Sequence, residues 1–336
     1  MGNISRAYIL RRLGVFFLTI WLSATIIFII PRLAPGDPIT AMVSRISEAA
    51  GTVEGSDEMI RIWREKFGLD EPILTQYIRY MGSVLTLDFG YSLASFPTTV
   101  GERIARALPW TIGLLTMALA ITFVLGNLLG ALLAWRRTPG IIKTLIPISM
   151  VFTSIPSILA ALFLLYVFGF LLDLFPFRGS YGRGVDPGLT WEFVSSVIQH
   201  GTLPALSIVL VSFGYWALGM RGMMITVEGE DYMHLAQAKG LRPLYVLYRY
   251  MIRNAILPQV TALAISIGTL VSGQVLVEYI FTYRGMGSVI IEAIRNQDFA
   301  LIQGASFVII LTTAIAVLII DLIYPLIDPR ISLERR

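Results

Sequence analysis

Long apolar runs alternate along this chain with shorter polar, basic connectors. Six stretches stay apolar over the length that a helix needs to cross a bilayer: about Leu13–Ile30, Thr111–Trp135, Leu145–Leu172, Leu203–Ile225, Val260–Ile280 and Leu301–Leu322. A hydrocarbon core about 30 Å thick takes around 20 residues of helix. The runs lack the two-residue alternation of barrel strands, so they predict helices. Periodicity inside such runs does not separate a lipid-facing side from a buried one. The expected fold class is an all-α polytopic membrane protein with six transmembrane helices.

The connectors set an orientation. Arg11 and Arg12 precede the first span, and Arg136, Arg137 and Lys143 lie between the second and third. Arg221 at the end of the fourth span, with Lys239, Arg242, Arg249 and Arg253, belongs to the connector between the fourth and fifth, and Arg330, Arg335 and Arg336 follow the sixth. All fall on one side, and Lys/Arg excess in short loops marks the cytoplasm. Both termini are therefore expected to be cytoplasmic. The other side carries Arg178, Arg183, Arg284 and Arg295 in its short loops. The first span is read as uncleaved, because its run exceeds a signal-peptide core and Pro31-Arg32-Leu33 replaces a cleavage site.

Three parts follow: 1–30, the N-terminal end and first span; 31–108, an extracytoplasmic insertion; and 109–336, spans two to six with a cytoplasmic loop at 226–258. The insertion opens on the turn cluster Pro35-Gly36-Asp37-Pro38. Glu58–Phe67 reads as an amphipathic helix with Met59, Ile60, Ile62, Trp63 and Phe67 as its apolar positions, and Gly68 as its cap. Thr75–Leu87 is a second helix, ended by Asp88-Phe89-Gly90. The insertion could serve as a packed cap or as a dock for a soluble delivery protein.

Composition agrees with the pattern. Of 336 residues, 56% are hydrophobic and 14% charged, against about 25% charged in a soluble domain. The net charge of +4 fits basic cytoplasmic loops. It does not imply nucleic acid, since no basic cluster is interleaved with stacking aromatics. The absence of cysteine excludes disulfide and thiolate chemistry.

Asp231–Pro258, DYMHLAQAKGLRPLYVLYRYMIRNAILP, is polar, basic and helix-prone between two apolar spans. Asp231 is placed to cap a helix over Tyr232–Lys239. Ala236 and Ala238 are small enough for another surface to approach closely. Gly240 breaks the helix and Pro243 restarts one. That second helix runs from Tyr245 to Ile256 with Arg249 and Arg253 one turn apart, and Leu257-Pro258 ends the loop at the membrane.

AQAKG followed by RNAILP resembles the EAA loop of ATP-binding-cassette importer permeases, in the form of the dipeptide/oligopeptide permease family. RLAPGDP at Arg32–Pro38, FGLDEPILTQY at Phe67–Tyr77 and SIPSILAALFLLYVFG at Ser154–Gly169 are similar to that family in the same order. So are VEYIFTYRGMG at Val277–Gly287 and DLIYPLIDPR at Asp321–Arg330. The first position of a strict EAA triplet is His234 rather than glutamate, which peptide-type members often lack. Ser44–Glu65 is longer than in the shortest members, and leaves oligosaccharide open as an alternative cargo.

The resemblance implies a type I importer permease fold and one half of a translocation pore in a prokaryotic cytoplasmic membrane. It implies a second, homologous permease subunit, two ATPase subunits and an extracytoplasmic substrate-binding protein as partners. No cofactor is expected on this chain; ATP and Mg would sit on the ATPase subunits. The coupling residues would be Asp231, His234, Ala236, Ala238, Lys239, Gly240, Arg242, Arg249, Arg253, Asn254 and Pro258.

Single polar residues are weighed beside that. His234 and His200 are the two histidines, and no second ligand stands at helical spacing from His234 for a metal. Asn127 in span two and Gln274 in span five either bond across helices or line a pathway; Tyr215 and Trp216 either line that pathway, stacking on a cargo, or belong to an interfacial belt. Tyr279 and Tyr283 could likewise stack on a cargo or belong to an interfacial belt. Asp321 and Asp328 are expected to pair with arginines. No charge sits at the centre of a span, which argues against an ion-driven carrier. There is no G-x-x-x-x-G-K-[ST] phosphate loop, and no Ser/His or Asp/Asp pair suited to intramembrane hydrolysis. A stand-alone carrier and a structural membrane protein stay as rivals.

Overall fold

The computed structural model describes residues 6–33, 56–67 and 70–327. The turn cluster at 35–38, the Gly68 cap and Asp328 with the terminal arginines lie outside them. The helices are α1 Arg6–Leu33, α2 Ser56–Phe67, α3 Ile73–Thr86, α4 Val100–Ala134, α5 Gly140–Lys143, α6 Leu145–Ser154 and α7 Ser157–Leu164. They continue as α8 Trp191–Glu228, α9 Asp231–Ala238, α10 Pro243–Val246, α11 Arg253–Gly273, α12 Val275–Ile280, α13 Met286–Arg295 and α14 Phe299–Ile327. Two π-helical segments, Leu165–Leu171 and Leu247–Ile252, extend α7 and join α10 to α11. Among the described residues the only strand-like pairing is an isolated bridge between Tyr91 and Thr99. The chain forms two compact units, Met1–Trp110 with Arg284–Arg336, and Thr111–Tyr283.

In the first unit α1 and α14 run antiparallel. Arg12 pairs with Asp321 at 3.0 Å, and Tyr8 Oη donates to the Asp321 carbonyl at 2.8 Å. Farther along, Ala24, Ile27 and Phe28 share a buried cluster with Phe307 of α14 and with Tyr80 and Val84 of α3. The fully buried Asp298 opens α14: its carboxylate accepts from the Leu301 N–H at 3.1 Å. It also accepts from Ser92 Oγ at 2.6 Å and the Ala94 N–H at 3.0 Å. One carboxylate thus caps a helix and ties down the loop before α4. Arg103 adds bonds to Ser95 Oγ at 3.1 Å and to Glu292 at 2.6 Å.

The second unit is built on α8. Gly126 and Gly130 of α4 lie against its Phe213–Met220 stretch. A Cβ on Gly126 would come within 2.5 Å of the Trp216 Cβ, and one on Gly130 within 2.7 Å of the Met220 Cβ. On α8 itself, a Cβ on Gly214 would meet the Ser149 carbonyl and approach Thr153 Cγ2 of α6 to 2.6 Å. Small residues let helix backbones approach this closely, and that approach drives helix association in lipid. Thr190 starts α8, its Oγ1 accepting from the Phe193 N–H at 3.3 Å.

The span expectations meet four continuous helices of sufficient length and apolarity: Arg6–Ile30, Val100–Ala134, Trp191–Glu228 and Phe299–Ile323. Span two begins earlier than Thr111 because the polar turns of α4 carry an apolar stripe at Val100, Ile104 and Ala107, all buried. The single span expected over Leu145–Leu172 is two helices, bent by 101°. Pro156 is the cause: it holds Ile155 extended, at φ −85° and ψ 124°, and supplies no N–H to continue the helix. The span expected over Val260–Ile280 is divided at Gln274. The all-α class with several membrane-spanning helices stands, and two of the six expected stretches are broken.

Overpacking the glycine contact tests this assignment. Gly130→Leu is expected to cost about 1–3 kcal/mol and to lower the melting temperature of the detergent-solubilised chain. Gly113→Leu, with nothing within 4 Å of its Cβ position, leaves that temperature unchanged.

Candidate functional site: a helical loop and a cavity in the second unit

The loop that follows α8 folds as two short helices around a sharp turn. Glu230, not Asp231, is the residue before α9, and its side chain makes no capping bond. Asp231 stands in the first turn, where its charge still opposes the helix dipole. α9 closes on Gly240, at φ +68°. The Gly240 N–H donates to the Gln237 carbonyl at 2.9 Å and the Leu241 N–H to the Ala236 carbonyl at 3.4 Å. That pair of bonds is a Schellman closure, which requires the left-handed residue that glycine supplies without strain. Pro243 then starts α10. The expectation that Leu257-Pro258 ends the loop is corrected: Pro258 lies inside α11, which begins at Arg253.

Burial divides the loop into two faces. Met233 and Ala236 of α9 join Val246, Leu247, Met251 and Ala255 in a core with Met220 and Met224 of α8 and Ala131 of α4. Ala236 is 2% exposed, so the expected open contact there is replaced by an internal one. It is small because α9 lies close to its own chain. Asp231, His234, Ala238, Lys239, Gly240, Arg242, Arg249, Arg253, Asn254 and Pro258 are exposed. The Asn254 amide donates to the Tyr250 carbonyl at 2.6 Å.

The exposed side carries apolar residues that the sequence reading missed. Leu235, Leu244, Tyr245 and Tyr248 are all more than half exposed, Tyr248 at 65%. Their signal was the buried pair Met233 and Ala236, three residues apart, which turns Leu235 to the other side. Burial, and secondarily the Glu230 carboxylate, raises the Tyr232 phenol above its ordinary pKa, so Tyr232 is neutral at physiological pH. Beside the loop, Arg136 pairs with Glu228 at the end of α8 at 2.6 Å.

A cavity of about 720 Å³ lies in the second unit. Its polar lining includes Thr122, Thr153, Ser212, Tyr215 and Gln274, with Trp216 beside them. The Tyr215 and Trp216 rings meet edge-on at 5.4 Å. Tyr215 is 60% exposed and Trp216 2%; Trp216 also packs against Phe123 at 5.1 Å. Gln274 stands at the α11–α12 break, and its buried Oε1 has no hydrogen-bond partner. Asn127 is not in this lining: its amide donates to the Phe123 carbonyl at 2.7 Å and its Oδ1 is buried without a partner. The structure thus gathers Tyr215, Trp216 and Gln274, and leaves Asn127 elsewhere. Among the described residues, no three His, Asp or Glu side chains lie together as metal ligands.

The second unit thus carries a basic-flanked loop with an exposed apolar side and a cavity at the helix breaks. Residues 126–333 match the family of binding-protein-dependent transport system inner membrane components. The chain belongs to this family. A Brucella suis biovar 1 (strain 1330) protein, provisionally named as a peptide permease, is 34% identical over 328 residues, covering 97% of this chain and 98% of its own length. The dipeptide transport system permease protein of Bacillus subtilis (strain 168) is 29% identical, covering 98% of this chain and 99% of its own length. The oligopeptide transport system permease protein of the same organism is 31% identical, covering 97% and 99%. The binding-protein-dependent permease described here therefore matches such proteins from end to end.

The two faces of α9 give a differential prediction. Ala236→Glu places a charge in the buried core and is expected to cost about 3 kcal/mol or more. Ala238→Glu leaves stability within about 0.5 kcal/mol. Limited proteolysis of the purified chain reads the difference as faster cleavage within 226–258 for Ala236→Glu only.

Proposed function

We propose that this permease is the membrane subunit of an ATP-driven, binding-protein-dependent importer of short peptides, working by alternating access. The supporting observation is end-to-end similarity to relatives named for peptide, dipeptide and oligopeptide transport. The oligosaccharide alternative draws no support from them.

In this proposal a second, homologous permease completes the pore and two ATPase subunits seat on the loops at 226–258. The chain binds no cofactor of its own; ATP and Mg belong to those subunits. An extracytoplasmic binding protein delivers cargo, and both termini face the cytoplasm of a bacterial cell. Exposed Leu235, Leu244, Tyr245 and Tyr248 provide apolar contact for an ATPase subunit, with Lys239, Arg242, Arg249 and Arg253 around them. Transport follows when ATP binds one conformation of the assembly better than the other, since a ligand shifts a conformational equilibrium only by its differential affinity. Tyr215, Trp216 and Gln274 supply stacking and amide contacts along the path.

Uptake by the reconstituted complex, with its binding protein, is measured for labelled short peptides beside labelled oligosaccharides. ATP-dependent accumulation of peptides alone is the expected result; accumulation of sugars without peptides overturns the peptide assignment. Gly240→Glu strains the left-handed closure by about 1–2 kcal/mol and sets a charge at the turn. Its expected outcome is an assembled complex without transport. Normal uptake by that variant would remove the loop from the coupling role.

A further inference from the structure

The helix α3 belongs to the insertion expected outside the membrane, yet its contacts lie along the membrane span α1. Arg32 donates to Gln76 Oε1 at 2.9 Å. One turn further on, the Tyr80 and Phe28 rings lie 5.6 Å apart. A turn beyond that, Val84 is buried in one cluster with Ala24 and Ile27. Forward steps along α3 are thus matched by backward steps along α1, and the two helices run antiparallel. Arg32 lies just past the apolar run that ends near Ile30, whereas Ala24 is well inside it. From the level of Arg32 to that of Ala24 is about 12 Å at 1.5 Å per residue.

We propose that α3 is a half-helix sunk into the outer leaflet, and that its exposed apolar stripe is covered by lipid acyl chains. Leu74, Ile78 and Leu85 are 66%, 63% and 86% exposed. They fall on one stripe, at a spacing that returns to the same side of a helix. The stripe is distinct from the buried one formed by Tyr77, Tyr80 and Val84. On α1, the neighbouring exposed surface is Trp21, Leu22, Ile26, Ile29 and Ile30, the lipid-facing side of a transmembrane helix. The stripe on α3 lies at the same level along α1, because Arg32–Gln76 and Phe28–Tyr80 set the two helices side by side.

Two hydroxyls of α3 fit this placement, and the Tyr80 Oη, which has no hydrogen-bond partner among the described residues, is buried in the cluster with α1 and α14. Lipid offers no hydrogen bonds, so hydroxyls must find partners within the protein. Thr86 Oγ1 donates to the Gly82 carbonyl at 3.0 Å, and Tyr77 Oη bonds with Thr25 Oγ1 at 2.8 Å. Arg79 reaches back to Glu71, ahead of the helix, at 2.5 Å, as a long cation does when it seeks the headgroup level. At the tip, Leu87 holds a left-handed conformation at φ 56° where glycine is the usual residue. Leucine there adds apolar surface at the deepest point. Asp88 follows it, and its Oδ1 accepts from the Gly90 N–H at 3.0 Å.

The chain has no cysteine, so a single introduced thiol is a unique label site. Leu74→Cys, Ile78→Cys and Leu85→Cys are spin-labelled in the full chain, assembled with its partner subunits in phospholipid vesicles. Collision with oxygen is compared with collision with a water-soluble nickel chelate. Depth is expected to increase from Leu74 through Ile78 to Leu85, with oxygen favoured at Leu85. A membrane-impermeant charged maleimide is expected to react at Leu85→Cys about tenfold or more slowly than at Leu74→Cys, since charge enters hydrocarbon at high cost. Nickel access at Leu85, or equal maleimide rates, overturns the proposal in favour of a water-exposed cap. Exclusion of both oxygen and nickel overturns it in favour of a protein partner on this face.

Discussion

The second unit depends on how closely other backbones come to α8. Hydrophobic burial does not hold helices together in lipid, because the surrounding tails are as apolar as the side chains. What remains is close van der Waals contact, and that needs positions without bulk. Gly126 and Gly130 supply it from α4, and Gly214 supplies it on α8 toward α6. Fully buried Trp216, Ala217, Met220 and Met224 then continue the same face of α8 to the loop at 226–258. The loop's own core is the lower end of that contact.

Breaks in helices are the counterpart of this tight packing. A broken helix frees backbone groups that lipid cannot satisfy, so irregular backbone is tolerated only against protein or a wet cavity. The division at Gln274 lies in the wall of the cavity that Tyr215, Trp216 and Ser212 also line. Thr153, another lining residue, stands just before the Ile155-Pro156 bend. The cavity and the two breaks are one arrangement.

Much of this was legible. Gly240 and Pro243 announce the turn of the loop because each acts through its own backbone, independent of packing. The α2 helix showed through its amphipathic spacing, and α3 was expected over Thr75–Leu87 with its end at Asp88-Phe89-Gly90. The break at Gln274 did not, since the residues on both sides are equally apolar and the amide alone is ambiguous. The start of α4 was hidden by Glu102, Arg103 and Arg106, which lower hydropathy while leaving helical periodicity intact. For the site, Tyr215, Trp216 and Gln274 fall together, but Asn127 bonds to its own helix at Phe123. Ala236 was read correctly as small and wrongly as outward, because size signals proximity without saying to what.

The core beneath the loop has a mechanical consequence. Met220, Met224, Met233 and Met251 all belong to it. Methionine is unbranched, with three rotatable bonds and a polarizable sulfur, and fills irregular gaps through rotamers of similar energy. A joint built from such side chains yields to small tilts without opening a void, where one of branched or aromatic residues would lock or crack. The loop is thus mounted on a compliant bearing, while the glycine contacts farther up α8 are stiff.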